Sequence, residues 1–349
     1  MVARGGPGRT TQILVAVALT VSSDAVGLAQ GRTDVVSLPN GDRITGEVVR
    51  LDRGILEFKT DEAGTVYLEW DKLSTLVAMR QVEVVTTDGS TFLGTLGPAP
   101  ARSIAVIGPQ AAVPLAMSDV TLITPIGRSF WRKLDGSMDA GYSYTRSSGV
   151  SQLNLNLNSV YRQPKAESRL TASFTQTQTE DEAGADDRGT VEMSYRRFTW
   201  PRWSSTALGR FESNESLGLE LRSLGGAAIG PRLVNSNRAQ LTLSAGLAVS
   251  YEQGVDVEPT TNLDALFLFQ YSFYTYDHPT TNLNISAQYF PGLSEFGRKR
   301  LQLDANVRRE IWKDFFVSLN LYDTYDSHPP NPEADQNDIG LVASVGWSY

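Results

Sequence analysis

The chain has 349 residues, enough for two domains, and no cysteine, which excludes disulfides, thiol catalysis and a lipid-modified N-terminal cysteine. Its 39 acidic and 31 basic residues leave a net charge of −8, the wrong sign for a nucleic-acid-binding face. The mildly negative mean hydropathy does not exclude a membrane, because strands that alternate apolar and polar residues average to a soluble value.

Residues 1–29 read as a secretory signal. Arg4 and Arg9 make a basic start, residues 13–21 (ILVAVALTV) an apolar run, and Gly27 and Ala29 supply small residues ahead of a cleavage point at Gln30. The run is too short to span a bilayer, which takes about 20 residues. No later segment has the length and apolarity of a membrane helix.

Residues 34–125 contain an internal repeat. Asn40-Gly41-Asp42-Arg43-Ile44-Thr45-Gly46 is echoed by Asp88-Gly89-Ser90-Thr91-Phe92-Leu93-Gly94, each after a short apolar strand. Asn-Gly and Asp-Gly are hairpin turns, expected here to hold both central residues at positive φ. The self-similarity predicts two copies of one small bent sheet, a duplicated Sm/SH3-like periplasmic β domain. A binding platform and a folded spacer are both open as its role, because fold does not identify function.

From about residue 131 to 349 the pattern changes to long strands of period two. Leu153-Asn154-Leu155-Asn156-Leu157-Asn158 is the clearest; Leu241/Leu243/Ala245/Leu247/Val249/Tyr251 and Ile339/Leu341/Ala343/Val345/Trp347/Tyr349 repeat it. Weaker segments at 203–213 and 217–232 bring the count to about 12, the even number of bacterial outer-membrane barrels. A soluble sandwich also alternates, but the segments are long for one. Connections alternate between short ones near 163–165, 201–202 and 313–314 and long polar ones at 180–188, 253–261, 291–298 and 327–337. The stretch 233–237 is longer than a short turn requires. Trp131, Trp200, Trp203, Trp312 and Trp347 fall at the expected periplasmic rim and Tyr349 ends the chain in phase with them, the aromatic girdle of a membrane interface. Tyr142, Phe211, Tyr251 and Tyr289 fall at the outer rim. The fold class is therefore all-β: an antiparallel transmembrane barrel in the outer membrane, preceded by the small duplicated domain.

The opposite phase of these strands is polar and of mixed sign, and its lumen-lining candidates are Asp135, Asp139, Arg169, Glu192, Arg196, Arg210, Glu212, Glu220, Arg222, Asp304 and Arg308. Ion pairs that fill the interior and a narrow aqueous path for small polar solutes are both compatible with this set. No catalytic site is expected. The two histidines, His278 in a predicted periplasmic connection and His328 in a predicted outer loop, stand a bilayer apart, and Asp326-Ser327-His328 reads as turn chemistry. No cofactor or metal site stands out. The acidic run Glu180-Asp181-Glu182 with Asp186-Asp187 reads as a solvated outer loop, with divalent cations at the lipopolysaccharide surface as its alternative. Expected partners are outer-membrane lipid and lipopolysaccharide, the outer-membrane assembly machinery, and a periplasmic partner of the duplicated domain.

Residues 217–233 (LGLELRSLGGAAIGPRL), residues 241–251 (LTLSAGLAVSY) and the final strand 339–349 resemble the salt-induced outer-membrane protein family, with Pro231 standing where the likeness expects tyrosine. Longer relatives carry a segment similar to Asn40 to Gly46. The resemblance covers about residues 131–349. It implies an outer-membrane barrel with a link to osmotic conditions, and it supplies no active-site residues. The function expected is an envelope structural or osmotic-stress role with small-solute permeability. A diffusion or uptake channel is the alternative, and an outer-leaflet enzyme a remote one.

Overall fold

The computed structural model describes residues 33–349 except 110, 127–133, 146–149, 164, 180–184, 201, 215–217, 255–256, 278, 313–314, 331–334 and 348–349. The expected signal segment lies outside the described residues. Among these residues the fold is all-β, without an α-helix, in two antiparallel sheets of nine and twelve strands.

The nine-stranded sheet comprises β1 (Asp34–Ser37), β2 (Arg43–Asp52), β3 (Ile55–Lys59), β4 (Thr65–Glu69), β5 (Thr75–Thr86), β6 (Thr91–Gly97), β7 (Ser103–Ile107), β8 (Ala112–Ala116) and β9 (Val120–Pro125). Single 3-10 turns, Trp70–Lys72 and Met117–Asp119, precede β5 and β9. The repeat is visible in the hydrogen bonds. In the first copy Gly41 N–H donates to Leu38 O and Leu38 N–H to Asp42 O; in the second Gly89 donates to Thr86 O and Thr86 to Ser90 O. Asn40 Oδ1 and Asp88 Oδ1 each accept the N–H two residues on. Only the glycine of each turn has positive φ, at 92° and 84°. These are three-residue loops with a left-handed glycine, not the expected two-residue turns. A turn with both residues at positive φ occurs at Arg53-Gly54, between β2 and β3.

Each copy's closing strand pairs within its own copy and also bridges to the other. The start of β5 ends the first copy and pairs with β1, yet Ala78 pairs with Leu96 of β6 in the second. β9 ends the second copy and pairs with the later part of β5, yet Leu51 and Asp52 of β2 pair with Ile123 and Leu122. The result is one apolar core, with Leu51, Leu56, Phe58, Trp70, Ile104 and Ile123 buried in it. Trp70 Nε1–H donates to Met117 O at 2.7 Å and ties the two 3-10 turns together.

The second sheet runs in chain order through β10 (Leu134–Thr145), β11 (Val150–Gln163), β12 (Ala166–Thr179), β13 (Ala185–Trp200), β14 (Trp203–Asn214), β15 (Leu219–Asn235), β16 (Ala239–Gly254), β17 (Thr260–Thr275), β18 (Thr281–Pro291), β19 (Lys299–Trp312), β20 (Phe315–Asp326) and β21 (Asn337–Trp347). The stretch expected as a long turn at 233–237 is mostly strand: β15 continues to Asn235 and the connection is Ser236–Arg238. Among the described residues no ladder pairs β10 with β21. The sheet nevertheless curls. Arg188 on β13 meets Asp338 on β21 at 2.7 Å, although eight inter-strand spacings in a flat sheet measure about 38 Å.

The curl turns the polar phase inward. Along β14, Ser204, Thr206, Arg210, Glu212 and Asn214 are buried while Trp203, Ala207 and Phe211 are exposed. Along β16, Thr242, Ser244, Ser250 and Glu252 are buried while Leu243, Leu247, Val249 and Tyr251 are exposed. Exposure reaches 70% at Tyr142, 64% at Leu341 and 64% at Val345, values that leave an apolar outer face uncovered by protein.

Candidate functional site

The interior of the curled sheet is built in layers. At the end carrying the longer connections, three arginines and four carboxylates interlock. Arg222 Nε contacts Glu252 Oε1 at 3.0 Å, its Nη2 contacts Asp326 at 3.1 Å and its Nη1 lies 3.6 Å from Glu212. Arg298 bonds Glu252 at 2.8 Å and Asp326 at 2.7 Å. Arg300 bonds Glu252 at 2.6 Å and also pairs with Asp264. Every one of these side chains is at most 9% exposed, so each charge is compensated inside the protein rather than by water. The void among them is about 20 Å³, room for about one water.

Beneath this plug lies a second layer. Arg210 Nε donates to Glu192 at 3.0 Å, and Gln288 reaches the same carboxylate from β18 at 3.2 Å. An apolar cluster of Leu208, Leu224, Ala228, Ala248, Leu266, Leu268 and Phe290 fills the space beside it. This cluster corrects the expectation of a uniformly polar interior. Leu266 and Leu268 carry no phase signal in the sequence, because their strand neighbours Phe267 and Phe269 are equally apolar.

The third layer is open. A chamber of about 910 Å³ is walled by Lys165, Glu167, Arg169, Arg196, Phe198, Arg232, Gln270, Asn284, Asp304 and Asn320 of the large sheet. Its floor is the small domain, through Asp52, Arg53, Val85, Gly89, Ser90 and Thr121. The small domain docks on the shorter connections at that end. Asn237 Nδ2 donates to Val120 O at 2.8 Å, Asn235 Nδ2 lies 3.4 Å from Thr86 O and from Thr121 Oγ1, and Lys72 pairs with Asp277 at 3.0 Å. Arg53 lies over the Tyr274 ring, 5.9 Å from its centre. Gly54, at φ 76°, packs so closely that a Cβ there would come 2.9 Å from Asn237 O. Lys72 holds the Asp277 carboxyl below the usual carboxylate range. Glu83 shares this interface. Val82 and Val84 enter the domain core, while the fully buried Glu83 carboxylate has no hydrogen-bond partner among the described residues, and burial pushes its pKa up against the opposing pull of Lys165.

The expected lumen residues separate accordingly. Arg169, Arg196 and Asp304 line the chamber; Glu192 and Arg210 form the middle pair; Glu212 and Arg222 belong to the plug. Glu220 is a correction. A register shift between Leu219 and Leu221 turns it out of the interior, where it is exposed and accepts from Gln253 Nε2 at 2.6 Å. Arg308 is exposed and stacks 3.5 Å over the Phe316 ring, in phase with Asp304 and Asn306 of the same strand. The side chains of Asp135 and Asp139 lie outside the described residues. So do Trp131, Tyr349 and the side chains of Trp200 and Trp347. Of the expected rim aromatics, Trp203 is 43% and Trp312 68% exposed.

Sequence reasoning missed Glu252, Arg298, Arg300 and Asp326. Glu252 and Arg300 are in phase with the inward residues of their strands and were legible by extending the alternation to the strand ends. Arg298 was not, because it folds back from a connection that reads as solvated. Lys165 and Arg232 were hidden by their places in or beside turns. His328 Nδ1 lies 3.0 Å from Ser327 Oγ, but Asp326 is engaged by Arg222 and Arg298 and meets only the histidine backbone N–H, so no triad relay forms. His278 and most of the acidic run at 180–187 lie outside the described residues, among which no cluster of three or more metal-ligating side chains occurs.

Residues 138–349 match the model of a family described as protein of unknown function, DUF481. No curated protein matches the chain. A solved structure described as a bacterial polysaccharide outer membrane secretin is similar at 10% identity and a TM-score of 0.35, over 77% of this chain and 97% of that one, a likeness too loose to carry an argument.

Proposed function

The chain belongs to the DUF481 family, and on that footing we propose that it is an outer-membrane β-barrel with a sealed lumen, serving the envelope as a structural or osmotic-stress-associated protein. One observation carries this reading: the large sheet buries its charges and exposes its apolar face. Such a surface needs hydrocarbon around it, and hydrocarbon demands a closed sheet with every backbone amide paired, so β21 joins β10 in the membrane. Trp203 and Phe211, eight residues apart on β14, bracket about 26 Å of strand. At a tilt of about 40° this is about 20 Å of membrane, close to the apolar band of such barrels.

In this reading the longer connections face lipopolysaccharide. The small domain, two Sm/SH3-like units with a shared core, lies in the periplasm after signal removal, and the outer-membrane assembly machinery inserts the barrel. The chain has no catalytic role and needs no cofactor. A diffusion channel is the weaker reading, since a charge plug closes one end of the lumen and a domain closes the other. The test is reconstitution. The purified chain is expected to need detergent, to migrate faster on gels unboiled than boiled, and to leave planar bilayers silent. A chain that stays monodisperse in buffer alone defeats the barrel. Steady conductance defeats the seal.

A further inference from the structure

We infer that Glu83 is a proton-operated latch for the small domain: while its carboxyl carries a proton the domain stays docked on the large sheet, and once it is ionised the dock loosens. The setting of this one acid is the reason. A carboxylate taken out of water is normally paired or hydrogen-bonded, because burial strips it of its hydration. Glu83 is fully buried, and among the described residues neither of its oxygens has a hydrogen-bond partner.

The duplication shows that the fold of the unit does not require an acid there. Counted from the glycine turns, Glu83 of the second copy stands where Val35 stands in the first. That face of the second copy is turned to the large sheet. Val85, Leu122 and Thr124 line the chamber floor, and Glu83 shares their side of the domain, two residues from Val85 on β5 and opposite Thr124 on β9.

Few charges face it. Leu93 lies opposite on β6 and Thr124 on β9, and neither titrates. Arg80, on the same strand, is engaged by Glu47. Across the dock, Lys165 of the β11–β12 turn pulls against the burial that raises the Glu83 pKa, without coming within hydrogen-bond distance. The pair between Lys72 and Asp277 stays charged at moderate pH, because Lys72 holds that carboxyl below the usual range. A carboxyl that keeps its proton more tightly when docked than when hydrated links docking to pH. Docking is then strongest below the ordinary glutamate pKa of about 4.5 and weakens as pH rises towards the docked value, by at most about tenfold per pH unit. Undocking opens the floor of the chamber. Of the sealed-lumen reading, the latch needs only the docked domain.

The chain has no cysteine, so Glu62→Cys on the small domain and Arg202→Cys in the β13–β14 turn, both at exposed positions, take spin labels without background. The distance between the labels is measured on the full chain in detergent micelles from about pH 5 to about pH 9. One narrow distance is expected in acid, with a longer and broader population growing as pH rises. Glu83→Gln and, separately, Glu83→Val are expected to hold the narrow distance throughout, and Lys165→Met to enlarge the long population at high pH. Each variant is checked for the faster unboiled mobility of a folded barrel. The latch is overturned if the labelled parent chain keeps one distance at every pH, or if the folded Glu83 variants loosen with pH as the parent does. Loss of the mobility difference in the parent sinks the barrel reading instead, and the label distances still judge the latch.

Discussion

The two sheets of this protein have opposite interiors. The small domain buries Trp70, Phe58 and Leu56 and sets polar residues outward; the large sheet buries Arg222, Glu252 and Arg300 and sets Leu247, Phe211 and Leu341 outward. Both are made of strands alternating at period two, so alternation says that the two faces differ without saying which is inside. The surroundings decide. Water pulls the polar face out and drives apolar side chains together, whereas hydrocarbon accepts the apolar face and penalises every unpaired polar group. On the proposed barrel reading, one chain contains both solutions to the same pattern.

The sharpest test of this contrast removes one residue from each interior. Glu252→Ala leaves Arg222, Arg298 and Arg300 short of the carboxylate they share and is expected to cost about 3–5 kcal/mol in unfolding from detergent. Trp70→Ala is expected to cost a similar amount, about 3–5 kcal/mol, by opening a cavity, and to unfold the small domain alone. A negligible Glu252→Ala effect would mean that the plug is hydrated. Next in size is Leu247→Arg on the outer face. In a bilayer it is expected to cost about 2–4 kcal/mol near the midplane; were that face in water, the change would be harmless or would improve solubility.

The smallest effect sharpens the comparison from the domain side. Glu83 occupies the place of Val35 in the first repeat, and Glu83→Val is expected to raise stability near neutral pH by about 1–2 kcal/mol by removing a buried, unpartnered carboxylate. Its pKa is raised in the fold, so the unfolded chain is the better acid. The native penalty is absent below the ordinary glutamate pKa of about 4.5 and grows as pH rises through the raised folded value. The gain from Glu83→Val should therefore shrink as pH falls, as seen in denaturation midpoints of the two chains. A constant gap would place its origin in packing alone.

Much of the large sheet was legible because its strands alternate apolar and polar residues over long runs. Leu153 to Asn158 alternates without a break, and the expected even count of about 12 agrees with the twelve strands observed. What escaped was whatever left the period. The shift at Leu219/Leu221 turns Glu220 outward, Arg298 returns inward from a connection, and the apolar cluster around Leu266 sits in a phase that alternation reserves for polar groups. The chamber was illegible for a deeper reason. Its walls come from strands far apart in sequence and its floor from another sheet, so no local window contains it. In the small domain the paired glycine turns announced the duplication, but nothing local to either copy indicated that the last strand of each also bridges to the other.

Those bridges and the single shared core bind the two halves of the small domain together. A polypeptide cut between the repeats would not yield half a domain; it would strand β2 or β6 beside an empty slot, with the shared core open to water.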